Sequence, residues 1–319
     1  MNAFDYDAGT GRITINNLPF DGAGETEYEL NPTITLASTD ASITGDPNFA
    51  QFLNARVYEN VKTGNTAQDR YYAVLIKSDN MVAGSIATPV YADFGYGGAV
   101  IKRITTGVTM PSGEALYTYA GVYAGQRVFS DRGGLEIVQG NATLELDTRD
   151  FDITGAVRGD ITDRVRVFAD NSRGASLPDI ELVITDDGLD GKVESGIAQT
   201  QFTNQTTGIA EIRDTGEYTA TFGGPNGEEL GGFVIIEGVA AIRNVTYDVA
   251  TLADGTRSTL SEAQVAQIQQ ALRQGIDPPS LTTYDTSDAS NTDRGTETAV
   301  FKTEGNARET GVFLTKRKP

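Results

Sequence analysis

The sequence contains no cysteine, no histidine and no tryptophan among its 319 residues. Without cysteine it can form no disulfide, iron–sulfur cluster, thiol nucleophile or Cys-type zinc site. Without histidine it has no Ser-His-Asp triad, no imidazole base and no histidine ligand for a metal or haem. These absences exclude most familiar enzyme mechanisms. We therefore expect a protein that is not an enzyme and that carries no cofactor.

Basic residues are also scarce, since 25 Lys and Arg stand against 44 Asp and Glu and give a net charge of −19. An acidic surface disfavours nucleic acid and anionic lipid, so we expect no nucleic-acid partner. No apolar run approaches the ~18–20 residues that span a membrane. The opening "MNAFDYDAGTG" lacks a signal-peptide pattern. Either the protein is cytoplasmic from a native Met1, or an export signal and a lipid anchor have been removed.

Thr, Val, Ile, Tyr, Phe and Gly recur throughout, which is typical of a mainly β protein. Within residues 1–110, the segments 52–61 and 70–79 flank a polar loop and predict a hairpin. Residues 105–115, rich in Thr, Gly and Pro, predict a linker. From residue 116 onwards, short strands recur with Gly or Asp between them, which indicates an antiparallel barrel or sandwich.

One segment, residues 261–274, predicts an α-helix. Ser261 and Gln264 form a capping box, and Gly275 followed by prolines ends the segment. Its apolar stripe is narrow, which predicts a helix on the surface of the β structure. The polar run 282–298 predicts a long loop.

The stretch "GEYTATFGGPNGEELGGFVIIEG" (216–238) is rich in glycine and raises the question of a phosphate-binding loop. Such a loop must lead from a strand into a helix. Here "FVIIEGVAAI" follows, which is β-prone and has no helical period. Pro225, Asn226 and Gly227 have the turn chemistry of a β-hairpin, and Gly231 with Gly232 predicts a bulge or a close approach of strands. The sequence therefore favours a hairpin.

This stretch resembles the signature hairpin of the transferrin-binding protein B-like β-barrel, found in solute-binding surface lipoproteins of Gram-negative bacteria. In the same order as in that family, "YAGVYAG" (119–125) resembles the opening strand, "NATLELDTRDFDITGAVRG" (141–159) and "LDGKVESGIA" (189–198) the following units, and "ETGVFLTKRK" (309–318) the closing strand. The residues that carry the likeness are Gly121, Tyr123, Gly125, Gly155, Gly159, Gly191, Gly196, Tyr218, Phe222, Gly224, Pro225, Gly227, Glu229, Gly231, Gly232 and Phe233.

The resemblance implies an eight-stranded antiparallel barrel filled by its own side chains, preceded by a β-rich handle domain. Residues 1–110 would be the handle-like domain, and 111–319 the barrel with a helix and loop insertion at 245–298. Relatives bind transferrin, haemoglobin, haem or complement factors. This chain lacks the anchoring cysteine, has one barrel instead of two lobes, and has no histidine for haem. The likeness therefore carries over the fold and no ligand-contacting residue.

Two acidic clusters are the remaining candidates for site chemistry. Asp186, Asp187 and Asp190 lie close together in sequence and are weak calcium candidates, without EF-hand spacing. The second cluster contains Asp147, Asp150 and Asp152 beside Arg149. At most, it suggests the carboxylate pair of a glycosidase. In both places Asp and Gly are also what any surface turn selects, so we expect no metal site.

Tyrosine-rich segments are candidates for an interface, since tyrosines supply contact area at low entropic cost. The candidate residues are Tyr71, Tyr72, Tyr91, Phe94 and Tyr96, together with the 282–298 loop. We expect a surface-exposed or secreted bacterial protein that binds a protein or small ligand through its loops. The alternative is a structural component of a virion or appendage, and a carboxylate-based hydrolase is the third hypothesis.

Overall fold

The structure is a computed structural model, and it describes residues 3–7, 9–16, 18–21, 25–64, 68–90, 93–109, 111, 115–148, 156–183 and 193–319. In these ranges the chain is mainly β. The first nine elements are β1 (Ala3–Tyr6), β2 (Ile13–Asn16), β3 (Glu25–Leu30), β4 (Leu36–Ala37), a 3₁₀ helix (Pro47–Phe52), β5 (Asn54–Asn60), β6 (Tyr72–Lys77), β7 (Met81–Ala87) and β8 (Gly97–Arg103).

The elements that follow begin with the strands β9 (Leu116–Phe129), β10 (Leu135–Asp147), β11 (Ala156–Val167), β12 (Arg173–Ser176), β13 (Ile180–Leu182), β14 (Val193–Asn204), β15 (Ile209–Gly223) and β16 (Glu229–Val239). The last elements are β17 (Ile242–Thr251), the helix α1 (Glu262–Gln274), β18 (Thr292–Lys302) and β19 (Asn306–Arg317).

The first sheet is a curled half-barrel with the strand order β1-β2-β3-β5-β6-β7-β8, and β4 pairs with β5. The predicted hairpin of segments 52–61 and 70–79 is confirmed, because Arg56 pairs with Leu75 and Tyr58 with Ala73 in antiparallel register. Asp69, between the two strands, is held by a hydrogen bond from its backbone N–H to the carbonyl of Phe20.

The second sheet closes into a barrel. Its order is β10-β9-β19-β16-β15-β14-β13-β11, and β10 pairs with β11 to complete the circle, with β12 attached beside β11. The chain is thus confirmed as mainly β, with an eight-stranded antiparallel barrel after an N-terminal β-rich sheet. The closing strand β19 lies between β9 and β16.

Three apolar clusters hold these sheets. The barrel interior is filled by residues from all eight of its strands, among them Tyr119, Leu144 and Phe313. A second cluster joins one face of the half-barrel to the outside of the barrel, for example Val74 with Val122. A third fills the inner face of the half-barrel around Tyr58. Both faces of the half-barrel are therefore buried over much of its area.

By compactness the chain forms two units, Met1–Thr200 with Asp214–Gly238 and Asn306–Pro319, and Gln201–Arg213 with Val239–Gly305. In the second unit β17 pairs with β18, and α1 packs with them through Val245, Ile268 and Leu272. The predicted helix is confirmed: Ser261 caps it in a capping box, and Gly275 ends it in the left-handed conformation. No helix among the described residues is long and apolar enough to cross a membrane.

The long loop predicted over 282–298 is wrong in its second part, because residues from Thr292 onwards form β18. The segment is polar, yet threonine has high β propensity and its partner strand is equally polar on that face. The hydroxyls of Thr246 and Thr298, which are directly opposite each other, lie 2.9 Å apart and form a hydrogen bond. Cross-strand polar pairs hold this ribbon where the sequence pattern lacked apolar alternation.

Candidate binding site

The glycine-rich stretch 216–238 is a β-hairpin, as predicted. Strands β15 and β16 pair without interruption from Asp214 opposite Gly238 to Gly223 opposite Glu229. Tyr218 and Phe222 point into the barrel core, where both are fully buried. Because this stretch leads from strand to strand, no helix N-terminus follows the glycines to bind a phosphate.

The turn of this hairpin requires glycine at Gly224, whose φ is +78°. We expect Gly224→Val to destabilise the protein by about 1–3 kcal/mol, because a β-branched residue is strained at that φ. At Gly231 an added side chain would meet Leu314 Cδ1 at 2.9 Å, so Gly231→Val should cost a similar amount. Thermal unfolding would measure both variants, with exposed Pro225→Ala as the control. An unchanged Tm for both glycine variants would contradict the hairpin assignment.

Glu229 of the hairpin connects the barrel to the half-barrel through hydrogen bonds. Ser78 Oγ donates to Glu229 Oε2 at 2.5 Å, and Asn80 Nδ2 donates to Oε1 at 2.6 Å. Burial raises the pKa of Glu229, and these two hydrogen bonds oppose the rise. Nearby, Arg103 Nε donates to the carbonyl of Phe222 at 2.7 Å. The hairpin therefore serves as a connection between the two sheets.

The other residues of the likeness are also structural where the structure describes them. Tyr123 and Tyr218 are buried and donate hydrogen bonds to Glu309 and to the carbonyl of Val157, while Phe233 packs in the layer between the sheets. Gly121 and Gly125 lie in β9, Gly159 in β11, Gly196 in β14, and Gly231 and Gly232 in β16, with Pro225 and Gly227 in the turn. Gly155 and Gly191 lie outside the described residues.

Inside the barrel lies a cluster of charged side chains that the sequence analysis missed, here called the barrel charge cluster. Its members are Arg127, Glu136, Arg164, Arg166 and Glu309, each less than a tenth exposed. Arg164 Nη2 lies 2.5 Å from Glu309 Oε2, and Arg127 Nε lies 3.4 Å from the same oxygen. Arg127 Nη1 and Arg166 Nε approach Glu136 Oε2 at 2.8 and 2.9 Å.

The electrostatics of the cluster favour its ionised form. Burial alone would raise the pKa of Glu309, but attraction by Arg164 and Arg127, with hydrogen bonds from Arg164 and Tyr123, outweighs it, so the pKa is lowered. Glu136 follows the same pattern, with burial opposed by Arg127 and Arg166. These carboxylates are therefore held as ion-pair partners, which does not suit a general acid.

A cleft opens at one end of the inner face of the half-barrel, here called the half-barrel cleft. Its volume is about 330 Å³, and its lining residues are Tyr6, Ala50, Gln51, Asn54, Arg56, Leu75, Lys77, Ser78 and Asp79. Arg56 lies opposite Leu75 in the sheet, and Lys77 lies opposite Val82. Leu75 and Val82 belong to the apolar cluster of the inner face, so both cations project from that face.

A larger and more open cavity of about 800 Å³ lies beside the hairpin turn and the end of β19. Arg317 and Lys318 line it, together with Tyr117 and Asn226. Its two cations already have partners. The Arg317 guanidinium interacts electrostatically with the Glu228 carboxylate, and Lys318 Nζ donates to Ser42 Oγ at 2.7 Å. The half-barrel cleft is therefore the stronger candidate for binding a ligand.

The candidate interface tyrosines fall in different environments. Tyr71 is fully buried, with its hydroxyl donating to the carbonyl of Pro19 at 2.7 Å, so it is a core residue and offers no contact surface. Tyr72 is half-buried, and Tyr96 is 45% exposed. The guanidinium carbon of Arg308 lies 4.5 Å from the centroid of the Phe94 ring. Tyr91 lies outside the described residues.

The acidic candidates lie largely outside the described residues as well. The candidates outside the described residues are Asp150, Asp152, Asp186, Asp187 and Asp190. Asp147 is the last residue of β10. Within the part of the chain that the structure describes, no group of three or more acidic side chains is placed to hold a metal ion.

No protein-family model matches the chain, and no curated protein matches it at a significant level.

Proposed function

We propose that the protein is a non-enzymatic binding protein of the transferrin-binding protein B-like class, displayed on the bacterial outer-membrane surface or secreted. The observation that carries this proposal is the combination of a half-barrel with a closed barrel that is filled by its own side chains. A filled barrel leaves ligand binding to loops, outer surfaces and clefts.

The buried carboxylates support a role in binding over a role in catalysis. Glu309 and Glu136 are paired with arginines, and Glu229 accepts hydrogen bonds from Ser78 and Asn80. Each therefore stabilises the fold. The half-barrel cleft is concave and of the size of small-ligand sites, so a small ligand suits it.

Protease treatment of intact cells that produce the full-length native protein tests this proposal. We expect the protein to be digested from intact cells, while a cytoplasmic protein in the same cells stays protected. A lipid-modified N-terminus, found by mass spectrometry, would support attachment to the outer membrane. Complete protection in intact cells, with digestion only after lysis, would overturn the proposal and favour a structural or assembly component.

A further inference from the structure

We propose that the half-barrel cleft binds a small organic carboxylate, with Arg56 and Lys77 as its charge partners. This inference rests on the proposed binding function and adds the site and the chemical class of the ligand. Arg56 and Lys77 lie in adjacent strands and line one cavity of about 330 Å³. Neither forms an ion pair with a carboxylate among the described residues, although the chain as a whole carries a net charge of −19.

The nearest aromatic groups leave the two cations available. Lys77 Nζ lies 5.4 Å from the centroid of the Tyr6 ring, an arrangement that holds the ammonium at the cleft without neutralising it. The pKa of Arg56 is raised, chiefly by its contact with the Tyr58 hydroxyl, while burial opposes the rise. The Arg56 guanidinium therefore stays charged at neutral pH.

The hydroxyl of Tyr58, which contacts Arg56, gives a further indication of a ligand. Tyr58 is fully buried on the inner face of the half-barrel, and its hydroxyl has no hydrogen-bond acceptor within the described part of the chain. Arg56 can only donate to this hydroxyl, so the O–H donor itself stays unsatisfied, which costs about 1–3 kcal/mol in a buried group. A carboxylate held by Arg56 supplies an acceptor next to this hydroxyl.

The other lining groups set the character of the ligand. Leu75 provides an apolar surface, and the Asn54 amide provides hydrogen-bonding capacity. Asp79 also lines the cleft, but Gln51 Nε2 donates to its Oδ2 at 2.9 Å and engages it. The planar guanidinium of Arg56 suits the two oxygens of a carboxylate. A carboxylate on a compact, hydroxylated body therefore fits these groups.

The charge of the whole protein favours a small ligand over a polymer. A polyanion or a large acidic protein would approach a chain of net charge −19 and would be repelled. A small anion interacts mainly with groups within a Debye length, about 8 Å at physiological ionic strength. The net charge of the protein therefore favours small anions over large ones. Arg56 and Lys77 favour anions over neutral molecules.

Isothermal titration calorimetry with citrate, at constant ionic strength, tests the proposal on the full chain. We expect citrate to bind the wild-type protein and glucose not to bind. Arg56→Gln and Lys77→Gln should each weaken citrate binding at least about tenfold. Lys62→Gln, which removes the same charge two residues beyond the other end of β5, should leave the affinity unchanged. Thermal unfolding of each variant checks that its fold is intact.

Three results would overturn the assignment: no binding up to about 10 mM citrate, equal weakening by Lys62→Gln, or a clear preference for inorganic phosphate over citrate. The first two would remove the cleft as a site, and the third would replace the carboxylate by a phosphate. None of them bears on whether the protein is displayed at the cell surface. Failure of this inference is thus distinguishable from failure of the proposed function.

Discussion

Replacing Glu309 by Gln is expected to lower the free energy of unfolding by about 3–5 kcal/mol. Glu309 is 2% exposed and is the carboxylate that faces both Arg164 and Arg127. Gln has nearly the same shape, so it removes the negative charge: Arg164 loses the carboxylate that faces it, while Arg127 keeps its ion pair with Glu136. Removing one partner of a buried pair leaves an uncompensated charge in a medium of low polarity. Urea unfolding followed by circular dichroism would measure the change.

Glu237→Gln is the matched control, because it removes the same charge from the exposed ion pair with Arg308. Exposed pairs contribute about 0–1 kcal/mol, so the control should change stability little. Equal losses in the two variants would contradict the structural role of the barrel charge cluster.

The pH dependence of the same variants gives a second measurement. Because the pKa of Glu309 in the folded protein is below its usual value of 4.5, its contribution to stability is present above about pH 4.5 and is lost as the pH falls through the lower folded pKa. The stability difference between wild type and Glu309→Gln should therefore narrow below pH 4.5. A constant difference across that range would show that the charge of Glu309 is not what stabilises the barrel.

Gly232→Ala is expected to destabilise the protein by at least about 3 kcal/mol, at the upper end of the cost of overpacking. A Cβ at Gly232 would lie 2.0 Å from the carbonyl oxygen of Thr219 and 2.4 Å from the Phe313 ring. The oxygen belongs to the paired strand, so relief requires the two strands to separate. Loss of soluble protein or a large fall in the unfolding midpoint would agree with this prediction.

Gly98→Ala makes the same chemical change in a strand of the half-barrel, where an added Cβ would meet nothing within 4 Å. Its expected effect is within about 1 kcal/mol and can be stabilising, since alanine restricts the unfolded chain. A Gly232→Ala variant as stable as Gly98→Ala would mean that the close approach of β15 and β16 is not required.

Local chemistry made some elements predictable from the sequence. The hairpin at 216–238 follows from its turn residues, and α1 follows from the capping box of Ser261 and Gln264 together with Gly275. The eight-stranded barrel came from the family resemblance, since the strand pattern alone left barrel and sandwich open. Its closure depends on the pairing of β10 with β11 and of β9 with β19, which no short stretch encodes.

Three groups of residues could not be placed from the sequence, each for a physical reason. Charged residues such as Arg164 and Glu309 normally face solvent on a strand, and only a partner on a distant strand allows them to face the core. Tyr71 and Tyr72 are adjacent and point to opposite faces, but both faces of the half-barrel are covered, so exposure could not be assigned by alternation. Arg56 and Lys77 line the same cleft only because β5 and β6 pair.

The position of β19 has a consequence for how fast the protein folds. Tyr123 of β9 and Glu309 of β19 are hydrogen-bonded although 186 residues separate them in the chain. Pairings between such distant segments form slowly, because the search for them is entropically costly. Until β19 inserts, β9 and β16 each present an unpaired edge to other chains. We therefore expect aggregation to compete with folding chiefly before β19 is inserted, and conditions or chaperones that shield those two edges should raise the folding yield most.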